Sequence, residues 1–273
     1  MVGWRRASRQ TDGAVDGGGR PPSLMRALGM ARSLVIYHAI PGRHLRMARF
    51  YAQFLGPGDL GIDVGAHVGS RVRSWRRLGV RVIAVEPQPD CLRVLRMLFG
   101  RDDEVTIVPA AVGAEAGTAT LAVSSRTPTV SSLSTAWIDR VGTDRRFSRV
   151  RWDQRVQVPV TTLDMLIERY GEPAFCKVDV EGFEDAVLAG LSRPLAALSF
   201  EYLPAAHDDA LATLARIDGL GPYRYNYSPI ETMRWASRTW LDAADLRRLL
   251  DRVRPSGRSG DVYAQHLPPS TSE

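Results

Sequence analysis

The chain has 273 residues, 44% of them hydrophobic, enough to bury the core of one large α/β domain with a small extension. Its formal charge of +6 sits at the front: residues 1–50 hold nine arginines and two aspartates, while residues 51–273 hold 27 basic and 28 acidic side chains, a balance that disfavours a nucleic-acid partner. Two cysteines, Cys91 and Cys176, stand in no metal-ligand or redox spacing, so no disulfide framework is implied.

Residues 1–23 read as a disordered basic tail, because Gly17-Gly18-Gly19 and Pro21-Pro22 break any periodic pattern. Residues 24–55 read as an amphipathic helical extension in two segments, 24–38 and 43–55, separated by Pro41-Gly42. Leu24, Leu28, Leu34, Met47, Phe50 and Phe54 supply apolar faces expected to pack on the main domain. Two other roles stay open: peripheral contact with an anionic membrane through the arginines, or a lid over a substrate. The apolar piece at 34–40 is too short to span a bilayer, no secretory signal is apparent, and a soluble cytoplasmic protein is expected.

From residue 56 the pattern becomes β-α alternation: strand 60–64, helix 69–78, strand 82–85, helix 90–99, strand 105–109. Such alternation predicts a parallel sheet with right-handed crossovers. The first unit, Ile62-Asp63-Val64-Gly65-Ala66-His67-Val68-Gly69 followed by Val82 to Val85 and Glu86, has the form that binds an adenosine-containing cofactor. Gly65 permits the sharp turn after the strand, and Gly69 is expected to clear a side chain from between helix, strand and ligand. Glu86, ending the next strand, is placed to accept hydrogen bonds from both hydroxyls of a ribose. A dinucleotide fingerprint would need G-x-G-x-x-G; here the spacing is D-x-G-x-x-x-G, with Asp63 suited to a cationic amine.

The stretch 113–160 is irregular, with strand-like pieces at 118–123 and 155–160 around a Ser/Thr-rich run at 127–135, whose serines are candidates to line a cleft. A helix follows Thr161-Thr162, then a strand at 174–178, a helix at 183–191 and a strand at 196–200. Segments 223–227 and 261–265 are expected to close the sheet as an antiparallel pair, with a helix at 241–253. Residues 268–273 read as a loose tail. Lys177 is the sole lysine against 35 arginines, and alternation places it on the same strand face as Asp179.

The strings KVDVEGFE at Lys177 to Glu184, VPVTTLDML before it, EPQP after the second strand, AAVG at Ala110 to Gly113 and SFEY at Ser199 to Tyr202 occur in one order. Together they resemble the FkbM family of methyltransferases over about residues 56–202, and DVGAHVG resembles motif I of S-adenosylmethionine-dependent methyltransferases. His67 departs from the Asn common at that place. The resemblance implies a Rossmann-like class I methyltransferase, α/β, with a seven-stranded mostly parallel sheet spanning 56–267 behind the N-terminal helical extension. It implies S-adenosyl-L-methionine as cofactor, with Asp63, Gly65, Ala66, His67 and Gly69 around the methionine part, Glu86 on the ribose, and the turn containing Ala111 and Val112 beside the adenine.

Asp179 is the preferred catalytic or substrate-orienting carboxylate, with Lys177 and Glu181 beside it; for Lys177 a structural ion pair is the competing reading, and for Asp179 a helix cap. The acceptor expected from the resemblance is a hydroxyl on a sugar, glycan, glycolipid or secondary metabolite. Asp179, Glu181 and Glu201 offer oxygens to magnesium, but nothing beyond their positions demands a metal. A nucleic-acid methyltransferase is disfavoured: no Asn/Asp-Pro-Pro-aromatic tetrad follows the fourth strand, and neither cysteine lies in a loop. A non-catalytic, cofactor-binding interaction protein is the remaining alternative.

Overall fold

The structure is a computed structural model and describes residues 23–38, 40–144, 147–148 and 150–267. Of the tails read from sequence at 1–23 and 268–273, Ser23 opens the first helix and the rest lie outside the described residues. After α1 (Ser23–His38) and α2 (Arg43–Tyr51), the chain makes β1 (Leu60–Val64), α3 (Ser70–Arg76), β2 (Arg81–Val85), α4 (Pro89–Phe99) and β3 (Val105–Val108). It continues through β4 (Ala111–Val112), β5 (Gly117–Val123), α5 (Thr135–Val141), β6 (Gln154–Thr161) and α6 (Leu163–Tyr170) to β7 (Phe175–Val178), α7 (Glu184–Ala189) and β8 (Ala197–Tyr202). Then α8 (His207–Leu220), β9 (Tyr223–Pro229), α9 (Ala243–Val253) and β10 (Gly260–His266) complete the order.

Seven strands form one sheet in the order β3-β2-β1-β7-β8-β10-β9, parallel except for β10, which runs antiparallel to both neighbours. The parallel α/β sheet expected from the alternation is therefore present, and it has the seven-stranded, mostly parallel Rossmann-like form that the resemblance implied. Strands β1 and β7 are buried along their whole length, as helix-covered parallel strands must be. Ile62, Val64, Val178, Leu198 and Phe200 pack with Leu163 and Leu166 of α6 on one side of the sheet. On the other side an aromatic seam of Tyr51, Trp75, Phe175 and Tyr263 ties α2 to the sheet, with Tyr51 edge-on to Trp75 and Phe175 at 5.4 Å each. Because the strand order reverses between β1 and β7, their carboxyl ends leave a crevice there.

Three features differ from the sequence reading. The irregular stretch 113–160 builds a second sheet of order β4-β6-β5. Ala111 and Val112, expected in a turn, are β4 itself, paired in parallel with Val160 and Thr161 of β6. Pairing there satisfies backbone groups that an open turn would leave buried and unbonded. Finally, α8 was not foreseen; its buried face is built from Ala210, Thr213, Leu214 and Ile217, and the small and polar members dilute the apolar period.

Candidate functional site

Chain geometry at the crevice is set by two turns that touch. After β1, Gly65 takes φ +82°, and any Cβ on it would overlap the carbonyl oxygen of Asp179, so only glycine lets the β1 turn meet the end of β7. The amides of Gly65 and Ala66 donate to the Val85 carbonyl at 2.9 and 3.1 Å, and the Asp179 amide donates to Val64 at 3.0 Å. Gly69 serves a different purpose from the one expected. At φ +80°, its missing side chain makes room for Phe99 and Leu95 of α4, so it sets helix packing rather than ligand contact.

Two cavities open on these turns. One, partly open to solvent, is walled by Val64, Val85, Ala111, Val112, Leu121 and Leu133, with Glu86 and Gln88 at its polar end. The other, larger and also partly open, is walled by Tyr37, Arg71, Asp179, Glu181, Glu201, Glu231 and Asp261 among others. Gly65, His67, Thr129, Asp179 and Glu181 belong to both walls. Thr129 and Ser131 come from the Ser/Thr-rich run, and the Ser132 hydroxyl donates to the Glu181 carbonyl at 2.6 Å, which fastens that run over the β7 turn.

Strain concentrates here. Among the described residues four non-glycines have positive φ, and three of them, His67 (+49°), Glu181 (+54°) and Ile230 (+53°), line the larger cavity. Left-handed backbone costs such residues about 1 to 2 kcal/mol each and persists where the surroundings enforce it. Glu184 is one enforcer: its carboxylate accepts from the amides of Val180 and Gly182 at 3.1 and 3.3 Å, and burial pushes its carboxyl up to about 7.

The smaller cavity suits a nucleoside. Glu86 is 6% exposed and each carboxylate oxygen accepts one backbone N–H, from His67 and from Gln88, both at 2.8 Å. Each oxygen keeps lone-pair capacity for a further donor. Burial raises the Glu86 carboxyl to about 7 although those amides oppose it. Asp63 is 1% exposed with both oxygens lacking any hydrogen-bond partner, and burial lifts it to about 6 against the pull of Arg71 and Lys177. It lines neither cavity, so it offers negative charge from β1 rather than a cavity wall. His67 lines both cavities with Nε2 buried and unpartnered, and burial depresses its imidazole to about 4, leaving it neutral.

The larger cavity is dominated by carboxylates of unequal character. Burial works to raise Asp179, but Lys177 Nζ at 3.4 Å and Arg71 at 3.2 Å outweigh it and hold the carboxyl below its ordinary value. Burial likewise works against the Lys177 ammonium, yet Asp179 and Asp261, the latter at 2.7 Å, hold it charged. Lys177 is fully buried and lines no cavity, so it positions Asp179 and joins β7 to β10 without reaching a ligand. For Glu181 and Glu201 the same Lys177 is outweighed: burial and then repulsion from Glu201 push Glu181 far up, and burial and Asp179 do the same to Glu201. One carboxylate oxygen each from Asp179, Glu181 and Glu201 lie within 4.8 Å of one another.

Sequence reasoning missed Tyr37, Arg71, Glu231 and Asp261. Tyr37 comes from α1, edge-on to His67 at 5.4 Å, with Arg43 over its other face at 5.0 Å. Arg43 pairs with Glu231, which also lies 3.8 Å from Arg71. None of the four stands in a motif; only tertiary contact brings them together. Cys176 is a core thiol, raised to about 12 by burial, as its place in an apolar strand suggests.

Residues 63–227 match the family model described as the methyltransferase FkbM domain. No curated protein matches the chain. Among solved structures, an O-methyltransferase from Bacillus cereus in complex with SAH is 13% identical with a TM-score of 0.46, over 90% of this chain and 92% of that one. Precorrin-6y C5,15-methyltransferase from Geobacter metallireducens GS-15 is 10% identical with a TM-score of 0.45, over 81% and 87%. Fibrillarin from Aeropyrum pernix with natively bound S-adenosyl-L-methionine is 9% identical with a TM-score of 0.38, over 77% and 67%.

Proposed function

The chain belongs to the FkbM methyltransferase family and is an S-adenosylmethionine-dependent methyltransferase; from that premise we propose that it methylates a hydroxyl of a sugar, a glycan or glycolipid, or a hydroxylated secondary metabolite. The observation that carries this reading is the pair of cavities joined at Gly65, His67, Asp179 and Glu181, one apolar with a buried acid and the other rich in carboxylates. The bound cofactor supplies a methyl group on a cationic sulfur, activated for in-line displacement.

The residues fit that cofactor. Glu86 would hold the ribose, the walls from Ala111, Val112 and Leu121 would take the adenine, and the unpartnered carboxylate of Asp63 would offset positive charge at the methionine end. His67, neutral and unbonded at Nε2, would border both ligands. On the acceptor side Asp179, kept ionised by Lys177 and Arg71, orients a hydroxyl as a hydrogen-bond acceptor. Its depressed pKa makes it a weak base. Glu181 and Glu201, whose pKa values are raised, are the stronger bases of the cavity and would take the hydroxyl proton.

Five carboxylates on that wall, Asp179, Glu181, Glu201, Glu231 and Asp261, favour a neutral or cationic polyhydroxylated acceptor over a phosphodiester. The test is incubation of the enzyme with isotope-labelled methyl donor and cell extract, followed by mass analysis of the labelled products. Label on hydroxyl oxygens of saccharides or small metabolites is expected. Label confined to nucleic acid or to nitrogen would contradict the reading.

A further inference from the structure

We propose that the outer face of α1 and α2 is a docking surface for an anionic lipid bilayer. A surface helix ordinarily turns its polar residues to water. Here Val35 and Ile36 of α1 stand 62% and 40% exposed, followed by Ile40 at 48% in the connecting turn and Leu45 of α2 at 49%. Leu45 is not needed to hold α2 in place, because Met47, Phe50 and Tyr51 already bury another face of α2 in the aromatic seam.

Neither α1 nor α2 carries an acidic residue. Between Asp16 and Asp59 the sequence has six arginines and no acidic residue. Arg32, Arg46 and Arg49 are exposed on the same two helices, and none has an acidic partner among the described residues. Some exposed arginines elsewhere do have such a partner, as Arg93 has Asp90 and Arg216 has Asp185. Exposed aliphatic side chains and unpaired guanidiniums on the same two helices match the two layers of an anionic membrane surface, acyl chains beneath phosphates. A second copy would set like charges against each other, and a nucleic acid has no layer to receive the aliphatic residues.

This face adjoins the mouth of the larger cavity. Arg43 donates to the Ile36 carbonyl at 3.1 Å and pairs with Glu231, while Tyr37 and the half-exposed Ile230 line the cavity itself. A docked protein would thus open its acceptor cavity close to the lipid surface. The docking surface stands on exposure and charge, independently of which group is methylated.

The experiment is vesicle flotation of the full chain, without cofactor. Vesicles of phosphatidylcholine with about one phosphatidylglycerol in three should carry the protein up, vesicles of phosphatidylcholine alone should not, and added salt should release it. The double variant Val35→Asp, Leu45→Asp should bind at least about tenfold more weakly with an unchanged melting temperature, and so should Arg46→Glu, Arg49→Glu. Failure to float with anionic vesicles, or wild-type flotation by both double variants, overturns the proposal. So does a dimer or a duplex-DNA complex that these substitutions dissolve in a protein that ignores vesicles.

Discussion

Glu86 carries the cofactor reading at the scale of single residues. With its carboxyl near 7 in the free protein, it is largely protonated below that pH and ionised above it. Ribose hydroxyls donate to the ionised form, so binding expels a proton, and affinity for S-adenosylhomocysteine should climb between about pH 6 and pH 8 and be lost as pH falls through 7. Calorimetry across that range should show the climb in the wild type and a flat response in Glu86→Gln. Glu86→Ala should weaken binding by about 1 to 3 kcal/mol at any pH, and an unchanged dissociation constant would remove the ribose role.

The acceptor side makes a second residue-level prediction. On the proposed role of Asp179 in orienting the acceptor, Asp179→Asn should lower turnover at least about tenfold while leaving cofactor affinity near wild type. Glu201→Gln removes the repulsion that lifts Glu181, so the acid limb of the kcat profile should move to lower pH even as kcat falls. An acid limb that stays in place would show that this pair does not take the proton. Asp63, Gly65, Asp179 and Glu181 were legible in the sequence because each lies at a strand end beside a glycine turn, and Glu86 because it ends an apolar strand. Tyr37, Arg71, Glu231 and Asp261 were not, because their relation to the cavity exists only once distant segments are packed.

Among the elements, β7 and β10 are coupled through a buried pair that neither strand shows alone. Lys177 reaches Asp261 at 2.7 Å across β8, and without it two carboxylates would be left in the interior lacking their shared cation. Lys177→Met should therefore destabilise the fold by about 3 to 5 kcal/mol, measured by denaturant unfolding, and a neutral effect would show that water satisfies the acids instead. The strands were legible as apolar runs bounded by charge, a consequence of burial on both faces. The small sheet was harder: β4 spans two residues, β5 exposes its first half, and the pairing that joins them to β6 is non-local. For α8 the periodic signal was weak because alanine, threonine and glycine share its faces.

At the scale of the whole molecule, the family match covers 63–227 while the acceptor cavity also takes residues from outside it: Tyr37 before, and Ile230, Glu231, Ser259 and Asp261 after. The larger cavity thus draws its wall from inside and outside the matched segment. Removing residues 1–22 should leave the melting temperature nearly unchanged, because the seam that fastens the extension begins at Met47. Removing residues 1–42 takes away Tyr37, which lines the acceptor cavity alone, and should abolish acceptor turnover while cofactor affinity holds. Loss of both together would show that α1 supports the whole crevice. Among the described residues no helix is long and apolar enough to cross a membrane.

A crystal structure with S-adenosylhomocysteine tests the account most directly. The ribose is predicted on Glu86, the adenine between Val112 and Leu121, and the sulfur at the Gly65 turn facing Asp179 and Glu181. A nucleoside found in the carboxylate-rich cavity, or bound with Glu86 still touching only the amides of His67 and Gln88, would contradict it.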